Sequence, residues 1–258
     1  MRRGSLPSRL ATTSKPRYAG PMGNGVSRLS CFGLPALVLA LAWAGTALAH
    51  NIGGTDAAFV AAAHRPDPIP FAYLGAKHMV TGYDHLLFLV GVIFFLFRLR
   101  QIALYVSLFS LGHSITLLAG VFFDLHVDPH LVDAVIGLSV AYKAFENLGG
   151  FRSVFGVQPD PRIVVLGFGL IHGFGLATKL QALNLNPEGL LVNLVAFNVG
   201  VEIGQVLALS LILAAMTLWR RTPAFERTAA GANILLMLAG FVLAGEQLAG
   251  YLFGGAVS

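Results

Sequence analysis

A bilayer-length apolar stretch carrying ionisable side chains constrains this sequence more than any other feature. Residues 71–97, FAYLGAKHMVTGYDHLLFLVGVIFFLF, are long enough to cross a hydrocarbon core about 30 Å thick at about 1.5 Å of rise per residue. The first half of the stretch nevertheless holds His78, Asp84 and His85. An ionised group at mid-membrane costs roughly 2.5–3.5 kcal/mol on insertion scales, and spanning a bilayer requires none of these residues. The stretch therefore reads as a membrane helix that handles a cation, with the remaining helices as its walls and partners.

Composition extends this reading to the whole chain. With 56% hydrophobic and 11% charged residues and a mean hydropathy of +0.74, the sequence is too apolar for a soluble domain. It describes an all-α, polytopic membrane bundle. The net charge of +5 is concentrated at one end: six of the 17 Lys and Arg precede residue 50, and all 12 Asp and Glu follow it. Nucleic-acid binding needs a basic face on the folded part, and the near-neutral remainder excludes it. Cys31 is the single cysteine, so any metal must be held by nitrogen and oxygen donors.

The N-terminal segment reads as an export signal. Residues 34–48, LPALVLALAWAGTAL, form a short apolar core behind Arg28, and Ala47-Leu48-Ala49 supplies a small-x-small cleavage site. This divides the chain into a leader at 1–49, a tether at 50–70 and a helical domain at 71–253. An uncleaved first transmembrane helix is the competing reading. Met22 would give the leader a conventional length if translation began there. Cleavage would expose His50, whose amine and imidazole can chelate a divalent ion outside the membrane together with His64; a periplasmic tail with incidental histidines is the plainer reading. Pro66, Pro68, Pro70 and the Gly-Gly pair predict no regular structure in the tether.

Six spans are predicted after the tether, at 71–97, 101–123, 131–149, 163–181, 189–219 and 229–253. Arg98 and Arg100, Arg152 and Arg162, and Arg220, Arg221 and Arg227 fall in alternate loops. The intervening loops at 123–130 and 182–189 contain no Lys or Arg. The positive-inside rule places the arginine loops in the cytoplasm and both ends of the mature chain outside. That agrees with an exported N-terminus in a bacterial inner membrane.

These spans set His85, His113, His172 and Glu202 near mid-membrane on four helices, with His78 one to two turns nearer the outside. His78 and His85 share an ideal helical face but stand about 10 Å apart along it, so one ion can take both only if the helix breaks. Gly82 is the candidate break. Otherwise the two are successive stations on a path. Asp84 lies about 100° from His85 and can orient that imidazole or meet another helix. Gly169 and Gly173 make a small face next to His172. Gly200 and Gly204 make another beside Asn198, Glu202 and Gln205. An imidazole, carboxylate and amide set without sulfur suits Ni, Co or Zn and argues against Mg or Ca. The plainer reading is helix-locking hydrogen bonds, especially for His113 beside Ser114 and Thr116. Lys143 and Glu146 are expected to pair with each other, and Glu246 and Gln247 to reach headgroups.

The pattern His78-x5-Asp84-His85 followed by Leu-Leu-Phe-Leu resembles the H-x5-D-H signature of the HupE/UreJ family of nickel and cobalt permeases and metallocentre accessory proteins. Residues 168–177, FGLIHGFGLA, and 197–205, FNVGVEIGQ, are similar to later signatures of its second branch. The resemblance spans about residues 71–253. It implies a small helical permease with no permanent cofactor that moves Ni or Co for metalloenzyme maturation, with maturation proteins and membrane lipid as partners. Lys179 departs from the better-known branch, which carries a Glu seven residues beyond the His of its H-G motif. That exchange leaves the metal open and makes Glu202 a candidate for the missing carboxylate.

The expected function is thus a facilitator with His78, Asp84, His85, His172 and Glu202 as metal-site residues, supported by His113, Asn198, Gln205 and Gly173. No Walker A motif is present, so the chain itself does not hydrolyse ATP. An intramembrane haem- or metal-binding redox protein or enzyme is the alternative, and a Soret band would reveal haem. An accessory subunit whose polar residues only lock helices is the third reading.

Overall fold

The computed structural model describes residues 65–181 and 188–253. The leader expected at 1–49, the proposed capture residues His50 and His64, and the loop at 182–187 lie outside the described residues. Seven α-helices make up the described part, and it contains no strand: α1 Pro68–Thr81, α2 Tyr83–Ile93, α3 Leu99–Phe122, α4 Pro129–Asn147, α5 Pro161–Gln181, α6 Leu190–Arg220 and α7 Ala224–Phe253. A single π-helical turn, Phe151–Phe155, precedes α5. Four helices (α3, α5, α6 and α7) are long and apolar enough to cross a membrane. Large apolar side chains such as Leu111, Ile115, Leu207, Leu211, Phe241 and Val242 cover their outward faces. A soluble protein does not tolerate so extensive an apolar surface, whereas lipid requires one.

The tether is shorter than its proline content suggests. Helix α1 already begins at Pro68, because proline at the first helical position has its φ preset and no N–H to lose. Asn193 on α6 holds the entry, accepting from the Asp67 N–H (2.7 Å) and donating to the Arg65 carbonyl (3.3 Å). At the start of α4, Asp128 caps the chain by accepting from the His130 N–H at 2.8 Å, with Pro129 following it.

The stretch at 71–97 is not one helix. It breaks at Gly82, which takes an extended ψ of 96° between α1 and α2. The break leaves α2 only 11 residues long, buried on nearly every face from Tyr83 to Ile93 and packed against α3, α4, α6 and α7. Arg220, at the end of α6, closes the other end of α2. Its guanidinium donates to the carbonyls of Ile93, Phe94 (2.8 Å) and Leu96 (3.0 Å) and lies 4.6 Å from the Phe97 ring centroid. These carbonyls lie at and just beyond the C-terminus of α2, where, among the described residues, only that of Ile93 also takes a backbone N–H, from Leu96 at 3.0 Å, and a cation there answers the negative end of the helix dipole.

Three glycine seams fix the walls around α2. Helix α6 lies parallel to α1, with Gly200 against the Ala72 carbonyl, Gly204 against that of Ala76, and Gly75 against that of Phe197. Helix α5 lies parallel to α3 in the same manner, through Gly112, Gly169 and Gly173. Helix α7 runs antiparallel to α4 through Gly137 and Gly240. At each position a Cβ would collide with the neighbouring backbone. In lipid, helix association depends on close van der Waals approach, because apolar burial brings no advantage there.

Candidate metal centre

The break at Gly82 builds the site. It turns the first residues of α2 into a helix N-terminus buried in the bundle, where the dipole favours a carboxylate. Asp84 and His85 occupy that first turn and are 2% and 4% exposed. Asp84 Oδ1 meets His85 Nδ1 at 3.0 Å. The kink also folds His78 back towards His85, bringing their ring centroids to 5.2 Å. On an unbroken helix these residues would stand two turns apart.

The α3–α5 seam delivers the second imidazole. Gly173 fits under the His113 carbonyl, and Thr116 Oγ1 donates across the seam to the Leu170 carbonyl at 2.6 Å. With α5 this close, the His172 ring lies 5.0 Å from that of His85, in an edge contact. Donor atoms of Asp84, His85 and His172, all three buried, fall within 4.8 Å of one another. Ligands about 2.1 Å from one ion stand at most about 4.2 Å apart, so small side-chain rotations close this group onto a metal. His113 is 1% exposed, with its ring centroid 6.1 Å from that of His85. Phe88 and Phe109 wall the cluster, with ring centroids 5.3 and 5.0 Å from His172.

Hydrogen bonding sets the tautomers. His85 Nδ1–H donates to Asp84, so Nε2 carries the lone pair, and that nitrogen has no protein hydrogen-bond partner among the described residues. Ser139 has one hydroxyl hydrogen, which goes to the Ile136 carbonyl at 2.6 Å. Its oxygen therefore accepts from His172 Nε2–H at 3.2 Å, leaving Nδ1 as the lone-pair nitrogen. His78 Nε2 and both ring nitrogens of His113 are buried without a hydrogen-bond partner among the described residues. The carbonyl bond that would make His113 a mere helix lock is thus absent there.

Glu202 does not join the cluster. Gly200 and Gly204 face α1, and two residues beyond Gly200 is about 200° round the helix, so Glu202 points outward. It is exposed and accepts from Ser110 Oγ at 3.3 Å. Asn198 and Gln205 continue the same ladder between α6 and α3. Ser114 Oγ donates to Asn198 Oδ1 at 3.3 Å, and Gln205 Nε2 donates to the Val106 carbonyl at 3.4 Å. Both tie helices together one layer away from the imidazoles.

Helix α4 carries polar residues that span lengths alone do not single out. Ser139 orients His172. Asp133 is buried and takes Lys179 Nζ at 2.8 and 3.0 Å, so the lysine that departs from the better-known pattern has a carboxylate of its own. Lys143 and Glu146 pair at 2.8 Å. Gln247, near the other end of α4, accepts from His130 Nδ1 at 2.9 Å. The signal for these contacts was three charged residues inside one 19-residue helix, more than a purely structural membrane span requires.

Neither the curated proteins nor the solved structures contain a significant match to this chain. The family model described as HupE / UreJ protein matches residues 54–254. An H-x5-D-H segment folded back on itself at Gly82, in an all-helical apolar bundle, accompanies that match, and the chain belongs to the HupE/UreJ family.

Proposed function

We propose that this protein is a membrane permease for a divalent transition-metal ion. Asp84, His85 and His172 hold the ion, and His78 and His113 flank it. One observation carries the reading: three buried donors lie within 4.8 Å of one another inside an apolar bundle. Two imidazoles with a carboxylate and no sulfur favour Ni and Co, with Zn as a third candidate. Family membership supports the same choice of ion and a role in supplying metalloenzyme maturation proteins.

In this reading the chain crosses a bacterial inner membrane six times. The broken pair α1–α2 forms the first crossing and the charge-bearing α4 the third. Helix directions alternate along the chain, as six crossings require, and the arginine loops face the cytoplasm. The leader is cleaved, and His50 and His64 collect metal on the outer side. The ion passes His78, rests at the cluster, and leaves towards the arginine-bearing end. A divalent ion gains ~4.6 kcal/mol per 100 mV of inside-negative potential, enough to drive entry without nucleotide hydrolysis.

The test is uptake of radiolabelled Ni(II) or Co(II) into proteoliposomes under an imposed potential. Wild-type protein accumulates the ion, and His85→Ala and His172→Ala abolish accumulation at equal reconstitution. Uptake unchanged in both variants would overturn the proposal.

A further inference from the structure

A polar file leads away from the histidines along one face of α4. Ser139, Lys143 and Glu146 follow one another at four- and three-residue steps, the spacing of neighbours on a helix surface. Ser139 bonds His172 at one end. The file ends in a cavity of about 150 Å³ at the arginine-bearing end of the bundle, lined by Phe95, Leu96, Tyr105, Lys143, Glu146 and Asn147 among others. At about 30 Å³ per water, the cavity has room for an ion with part of its hydration shell. Glu146 contributes the carboxylate, one oxygen taking Lys143 Nζ at 2.8 Å and the other Gln158 Nε2 at 3.3 Å.

The neighbourhood is built for Lys143. Gly91 on α2 lets the lysine stem pass: a Cβ there would sit 3.1 Å from Lys143 Cγ. Asn147 Nδ2 bonds the Gly91 carbonyl at 2.8 Å and Asn233 Oδ1 at 3.0 Å, holding α2, α4 and α7 together at this level. Both charged side chains are under 10% exposed. Burying such a pair gains little stability over an apolar packing of the same volume, so stability alone is a poor account of it.

We propose that the Glu146 cavity is a second cation-binding station, where a partly hydrated divalent metal ion rests after leaving the histidine cluster. Lys143 occupies the carboxylate while no ion is present. This rests on the transport reading above. The ammonium serves as a tethered cation that keeps Glu146 neutralised inside the bundle. An arriving divalent ion displaces it, and Lys143 returns to the carboxylate as the ion moves on to water. Conduction needs successive sites that bind firmly enough to be entered and weakly enough to be left, and one buried imidazole cluster alone would hold its ion too long.

Two measurements on purified, full-length protein test this: Co(II) binding by titration calorimetry and Co(II) flux into proteoliposomes. Glu146→Gln is expected to leave affinity at the histidine cluster within about twofold while lowering flux about tenfold or more. The double exchange Lys143→Met with Glu146→Met removes the carboxylate from the cavity and leaves no unpaired charge in the bundle. It is expected to lose flux as well, and it carries the test if Glu146→Gln fails to fold. Wild-type flux in either folded variant would overturn the second station and leave the transport reading standing. A wild-type protein that moves no Co(II) overturns both.

Discussion

Asp84 and Ser139 matter because each fixes which nitrogen of a histidine presents its lone pair. Asp84 does so for His85, and its charge also remains close to any bound cation. Partners of this kind typically change metal affinity about 10–100-fold when lost. We therefore expect Asp84→Asn to weaken Co(II) binding by the upper part of that range and Ser139→Ala by the lower part, as titration calorimetry will report. Glu202→Gln is expected to change affinity by no more than about twofold, the effect of an ordinary surface substitution. At this scale the sequence was informative where chemistry is rare. Histidine and aspartate inside an apolar stretch announce themselves, and Asp84, His85 and His172 do come together. Glu202 carried the same signal at the same depth, yet it faces outward. The rotation of α6 is set by Gly200 and Gly204 against α1, and no single residue type records that.

At the level of elements, the glycine seams and the cap on α2 determine where the imidazoles stand. Gly200→Val places a branched side chain against the Ala72 carbonyl, and overpacking of this kind costs about 1–3 kcal/mol. A lower melting temperature in detergent, with a matching loss of the folded peak in size-exclusion chromatography, is the expected result. Arg220→Met removes charged donors from the carbonyls at and just beyond the end of α2, a loss of about 1.5–3 kcal/mol per bond. It should likewise lower the melting temperature, and it should reduce Co(II) binding, because α2 carries Asp84 and His85. The helices themselves were legible: spans predicted at 101–123, 163–181 and 189–219 correspond to α3, α5 and α6 within a few residues. The break at Gly82 was legible as one of two alternatives, since His78 and His85 meet only if the helix yields and otherwise stand as successive stations. The cap was not, because Arg220 lies 126 residues from Phe94 and reads locally as one more basic loop residue.

The whole molecule combines an apolar exterior, arginines at one end and a buried donor set between the ends. Orientation is open to direct measurement, because Cys31 is the single native cysteine and lies in the proposed leader. Cysteine introduced at Ser153 should react with an impermeant maleimide only in inside-out vesicles, and cysteine at His126 only in right-side-out ones. The converse would invert the direction of transport proposed here. The most direct test of the central claim is the visible absorption spectrum of the detergent-purified protein titrated with Co(II). A site at Asp84, His85 and His172 should give d–d bands of a nitrogen- and oxygen-ligated ion that saturate at one Co(II) per chain and vanish in His85→Ala and His172→Ala. A spectrum that stays that of aqueous Co(II), or bands that persist in both variants, would contradict it.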